Sequence, residues 1–119
     1  MIGALATGVA FAVLLVNVAV QAQQMVYSGN SMGVGTGKCA TYRMALEVAV
    51  DGKVVKGHLK QQGRPDRDFE ATLGPDGAIK TKAVVGGGES MDVTGTINDK
   101  EARILLDGYC KFDFKLTRK

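Results

Sequence analysis

From residue 44 to the C-terminus the chain repeats one pattern: a short run in which apolar and polar side chains alternate, then a turn. The closing stretch "YCKFDFKLTRK" (109–119) shows it most clearly, with Cys110, Phe112, Phe114 and Leu116 in one phase and Lys111, Asp113, Lys115 and Thr117 in the other. A period of two places successive side chains on opposite faces of a strand, so each run predicts a strand with one apolar face. "MALEVAV" (44–50) turns Met44, Leu46, Val48 and Val50 to one side, and "VVKGHLK" (54–60) does the same with Val55, Gly57 and Leu59. "DFEATL" (68–73), "AIKTKAVV" (78–85), "MDVTGTI" (91–97) and "ARILL" (102–106) continue the series. In these, Phe69, Ala71, Leu73, Ile79, Thr81, Ala83, Met91, Val93, Gly95 and Ile97 are expected inward.

The intervening segments are turn-forming. Asp51-Gly52 suits the positive-φ positions of a type I′ hairpin turn. "QQGRPDR" (61–67) is a loop whose Pro65 has no N–H for a ladder. "GPDG" (74–77), "GGGES" (86–90), "NDKE" (98–101) and "DG" (107–108) read as further turns. The Gly-rich region "VYSGNSMGVGTGK" (26–38) is expected to form the first strand.

Seven or eight short strands follow, with no connection long enough for a crossover helix. The fold class is therefore all-β: an antiparallel meander that hides its apolar face by rolling into a small up-and-down barrel, with a β-sandwich as the alternative. Lys, Asp, Glu and Arg fill the outward phase, which is incompatible with a lipid-facing barrel, so the domain is not expected to span a membrane.

The first 22 residues carry no charged side chain, run apolar from Ile2 to Val20, and end in Val20-Gln21-Ala22, a small-residue cleavage pattern. Residues 1–22 are read as a signal peptide and 23–119 as a single domain, exported to the periplasm or the extracellular space. In an oxidising compartment the two cysteines, Cys39 and Cys110, are expected to form one disulfide. Cys110 lies in the inward phase of the last strand, whereas Cys39 is out of phase with Met44, Leu46 and Val48. A turn or bulge between Lys38 and Arg43 reconciles them, and the bridge then ties the first strand to the last as a clasp on the seam. Closing so long a loop stabilises by roughly 4 kcal/mol in the chain-entropy model.

No constellation in the sequence carries a catalytic signature, and no catalytic residue, metal ligand or cofactor is assigned. His58, the single histidine, stands in the outward phase between Lys56 and Lys60, without further ligands for a metal. Ser28, Ser31 and Ser90 lack a nucleophile-elbow setting. The glycines of "GVGTGK" (33–38) fail the phosphate-loop spacing, with Met32 and Cys39 where Gly and Ser or Thr are needed. Formal net charge is +3, and the outward positions include Lys56, His58, Lys60, Lys80, Lys82, Lys111 and Lys115. If they converge, they form a basic binding face for an envelope polyanion or an acidic protein. Without interleaved aromatics, nucleic acid is not an expected partner. The small inward residues Gly57, Ala71, Thr81, Ala83 and Gly95 either leave a cavity or taper the barrel so that Phe69, Phe112, Phe114 and the methionines fill it; the filled core is preferred.

The spaced elements "YSGN" (27–30), "GKCATYR" (37–43), "VDGKVVKG" (50–57), "LGPDGAI" (73–79), "VTGTI" (93–97) and "CKFDFKLTRK" (110–119) resemble small exported bacterial single-disulfide β-barrel proteins of largely unassigned function. That resemblance implies a fold and an export route, not an activity. Relatives of that kind often carry Trp in the first strand, where this chain has Asn30-Ser31-Met32.

The functional expectation is an exported, non-enzymatic binding module or envelope-associated barrel, acting on a polyanion or a partner protein, for example as a hydrolase inhibitor. The alternative is a lipocalin- or avidin-like barrel for a small molecule. A hydrolase using dispersed carboxylates is the least supported reading.

Overall fold

A computed structural model describes residues 24–84 and 89–119. The segment read as a signal peptide and most of the 86–90 turn lie outside the described residues. Eight strands follow in chain order: β1 (Met25–Val34), β2 (Arg43–Asp51), β3 (Val54–Gln61), β4 (Arg67–Thr72), β5 (Ala78–Val84), β6 (Ser90–Ile97), β7 (Glu101–Asp107) and β8 (Lys111–Arg118). A 3-10 turn, Gly37–Thr41, links β1 to β2. All eight belong to one sheet in the order β4-β3-β2-β1-β8-β7-β6-β5, so the chain is a nearly closed antiparallel barrel and not a two-sheet sandwich.

The alternation predicted from sequence sets which face is buried. β8 buries Phe112, Phe114 and Leu116 and exposes Lys111, Asp113 and Lys115. β2 buries Met44, Leu46, Val48 and Val50, and β7 buries Ala102, Ile104 and Leu106. Full burial of a side chain such as Phe114 or Leu46 stabilises by roughly 1.5–3 kcal/mol, and among the described residues the core contains no buried polar or charged residue. Three expected inward positions, Leu73, Thr81 and Gly95, are only half-buried. Thr81 keeps its hydroxyl at the barrel wall by donating to the Glu70 carbonyl at 2.9 Å. At Gly95 a Cβ would overlap the Arg103 carbonyl, so β6 and β7 approach too closely there for any side chain.

Cys39 and Cys110 form the expected disulfide, with Cα atoms 5.5 Å apart. The expected turn between Lys38 and Arg43 is the 3-10 segment. It folds back onto β1, where Gly33 donates its N–H to the Tyr42 carbonyl at 3.0 Å and a Cβ would overlap the Cys39 carbonyl. The first and last strands meet beside the bridge, as expected. β1 and β8 meet in an antiparallel ladder from Tyr27↔Arg118 to Val34↔Lys111, and the disulfide sits at the end of that ladder. Among the described residues no ladder joins β4 to β5. The barrel is interrupted there, bridged by the Thr81–Glu70 bond.

The hairpin after β2 also differs in detail. Asp51 stays in the ladder opposite Val54, and only Gly52 takes a positive φ, 62°. Glycine alone at the first central position is the pattern of a type II′ turn, which, like type I′, matches strand twist.

The two ends of the barrel are finished differently. At one end Tyr27 is fully buried and donates its hydroxyl to the Asn98 carbonyl at 2.6 Å. Burial pushes its phenol pKa up, partly opposed by nearby Arg118. Asn98 in turn accepts the N–H groups of Lys100 (2.8 Å) and Glu101 (2.9 Å) on its side chain, and Lys119 donates its N–H to Val26 at 2.9 Å. The opposite, disulfide end carries the long β3–β4 connection and is open.

Candidate functional site

A pocket of about 230 Å³ enters the barrel at the disulfide end. Its apolar lining comes from four strands and the bridge: Met44 of β2, Leu59 of β3, Met91 of β6, Phe112 of β8, and Cys110. All stand in the inward phase near that end, so the alternation that builds the core also paves the pocket. Deeper in, Leu46, Val48, Val55, Val93, Ile104 and Phe114 are 0–2% exposed, so the middle of the barrel is filled.

The rim is polar. Gln61, Arg64, Pro65 and Arg67 come from the β3–β4 connection and its flanks, Glu89 and Ser90 from the start of β6, and Tyr42 and Tyr109 from the segments beside the two cysteines. Arg64 is presented by a formed turn: its N–H donates to the Gln61 carbonyl at 3.0 Å, and Gly63 takes the φ of 79° that the turn requires. Arg67 is fixed by the β3–β4 ladder, opposite Leu59. Among the described residues, neither arginine takes part in an ion pair. Tyr109 stands 90% exposed beside them.

The seven outward basic residues are not brought onto one face. Lys56, His58 and Lys60 lie on β3, Lys80 and Lys82 on β5, and Lys111 and Lys115 on β8. β2 and β1 separate the first group from the last, and β7 and β6 separate β8 from β5. Acids are interleaved with them. Lys82 binds Asp92 at 2.9 Å and Lys115 approaches Glu101 at 3.9 Å, while Lys56 opposes Glu70 and Lys111 opposes Asp107 across their ladders.

His58 is clamped by two carboxylates on the outer wall, Nδ1 to Asp68 Oδ1 at 2.6 Å and Nε2 to Asp66 Oδ2 at 3.1 Å. Two carboxylate partners require both ring nitrogens to donate, so the geometry selects the imidazolium. The Asp68 hydrogen bond, reinforced by Asp66 and against partial desolvation, raises the His58 pKa above the ordinary histidine value. Because the carboxylates occupy opposite edges of the ring, they do not converge with it on one point. Glu47, opposite His58 across the β2–β3 ladder, is held below the usual carboxylate range by its 2.7 Å hydrogen bond from Lys119.

The pocket was only partly visible in the sequence. Arg64 and Arg67 lie within the loop "QQGRPDR" (61–67), but their convergence with Met44, Met91 and Phe112 depends on which end of the barrel stays open. Neither family models, nor curated proteins, nor solved structures match this chain.

Proposed function

We propose that this protein is an exported, non-enzymatic binding module that takes a small ligand into the disulfide end of its barrel. The carrying observation is the pocket itself, apolar inside and polar at the rim, with arginines held by a formed turn and a ladder. Ligand sites combine an apolar lining with a few placed polar groups in this way. At about 230 Å³ the pocket is below the roughly 300–1,000 Å³ of drug-sized sites, which favours a small ligand. Export is supported by the uncharged apolar N-terminal 22 residues and by the disulfide, which suits an oxidising compartment. The non-enzymatic reading is supported by the placement of the single histidine, which is engaged by Asp66 and Asp68 on the outer wall and does not line the pocket.

The polyanion or acidic-partner reading draws less support, because the outward lysines are dispersed over three strands and several face acids. A fragment screen by thermal shift tests the proposal. Stabilising fragments should lose their effect in Q61W or S90W, which fill the rim, and keep it in K82A on the outer wall. Fragments that stabilise all four proteins equally, or a screen without any stabilising fragment, would contradict it.

A further inference from the structure

We infer that the ligand class is a small amphiphilic carboxylate, whose apolar body packs on Met44, Leu59, Met91 and Phe112 and whose carboxylate is held by Arg64 and Arg67. This rests on the reading of the mouth as a ligand pocket and adds the chemistry of its occupant. The first observation is the division of the pocket: apolar side chains from four strands line it, and the guanidinium-bearing residues stand on its rim. A ligand filling such a space matches it best with one apolar end and one polar end. The second is the sign of the rim, where two arginines stand against one carboxylate, Glu89. The third is that neither arginine is engaged in an ion pair among the described residues, in contrast to Lys82 and Lys119 on the outer wall.

Guanidinium is the side chain best matched to a carboxylate, since its planar fork gives two parallel N–H donors at fixed spacing. Its placement also limits the conformational cost of binding. Pro65 separates Arg64 from Asp66, and Asp66 is bonded to His58 at 3.1 Å, so the connection bearing the arginines is secured at the Gln61 turn and at Asp66. The methionines of the lining adapt to alkyl or aromatic bodies of differing shape.

Isothermal titration of the exported protein with sodium octanoate, 1-octanol and octylammonium near neutral pH tests the inference. Octanoate is expected to bind about tenfold more tightly than octanol, the scale of one charge-assisted contact, and octylammonium more weakly than either. In the R64Q/R67Q double variant the preference for octanoate disappears while octanol still binds; R103Q, which removes a positive charge from exposed β7, leaves the preference intact. Equal affinity for octanoate and octanol in the wild type, or a preference that survives in R64Q/R67Q, overturns the carboxylate assignment while leaving a ligand pocket. Failure of all three probes to bind overturns the pocket reading with it.

Discussion

The hydroxyl of Tyr27 reaches across the barrel end to the main-chain carbonyl of Asn98, 2.6 Å away and 71 residues distant in sequence. This contact connects β1 to the β6–β7 turn and, with the side chain fully buried, makes Tyr27 the plug of the closed end. Tyr27→Phe removes this hydrogen bond and should cost about 1 kcal/mol. Tyr27→Ala should cost about 3–5 kcal/mol, because it also leaves a cavity. Urea unfolding of the two variants measures both, and equal losses would show that the hydroxyl, not the ring, carries the plug.

Gly57 lies directly opposite Phe69 in the β3–β4 ladder, and a Cβ on Gly57 would overlap the Phe69 ring. The glycine is therefore the seat of the ring. Gly57→Ala should destabilise by about 1–3 kcal/mol through overpacking. Combining it with Phe69→Leu should cost less than the two single changes together, since the smaller side chain makes room. An additive double-mutant cycle in urea would count against this packing relation.

The Cys39–Cys110 bridge closes a loop of 71 residues. Replacing both cysteines with serine should lower stability by roughly 4 kcal/mol in the chain-entropy model. Because Cys110 also lines the pocket, the same variant should weaken octanoate binding even at temperatures where it remains folded. Calorimetric unfolding with and without reductant, run beside the titration, checks both effects.

The clamp on His58 has a defined pH sense. Its pKa is raised in the folded state, first by the Asp68 hydrogen bond, so its contribution to stability is complete below the unfolded value of about 6.5 and is lost as pH rises through the higher folded value. The charged groups facing it are Asp66 and Asp68, Glu47 across the ladder, and Lys56 and Lys60 on its own strand. The ring is exposed and the effect correspondingly small. Imidazole NMR titration should place the His58 pKa above the ordinary value in the wild type and lower it in Asp68→Asn more than in Asp66→Asn. A wild-type value at or below the ordinary one would contradict the clamp.

The strands from β2 onward and most of their buried faces were legible in the sequence because each strand needs only its own alternation, as Met44, Leu46, Val48 and Val50 show. The disulfide was legible because two cysteines allow one pairing. The meeting of β1 and β8 was legible as the closure of a meander, but the break between β4 and β5 was not, since nothing local marks a neighbouring pair that forms no ladder. Tyr27 was missed because β1 alternates weakly and its partner, Asn98, is remote in the chain. The pocket needed both the register and the knowledge of which end is plugged. The outward lysines were identified correctly as exposed, but their dispersal follows from strand order, which places β3, β8 and β5 on separate parts of the wall.

The central claim is that a ligand enters between the disulfide and the β3–β4 connection, against Met44 and Met91. Methionine methyl NMR during an octanoate titration tests it most directly. Met44 and Met91 line the pocket, whereas Met25 lies near the plugged end and Met32 is 49% exposed on β1. Saturable shifts of the Met44 and Met91 methyls, with those of Met25 and Met32 unmoved, are the predicted result. Shifts at Met25 or Met32 while Met44 and Met91 stay fixed would contradict it.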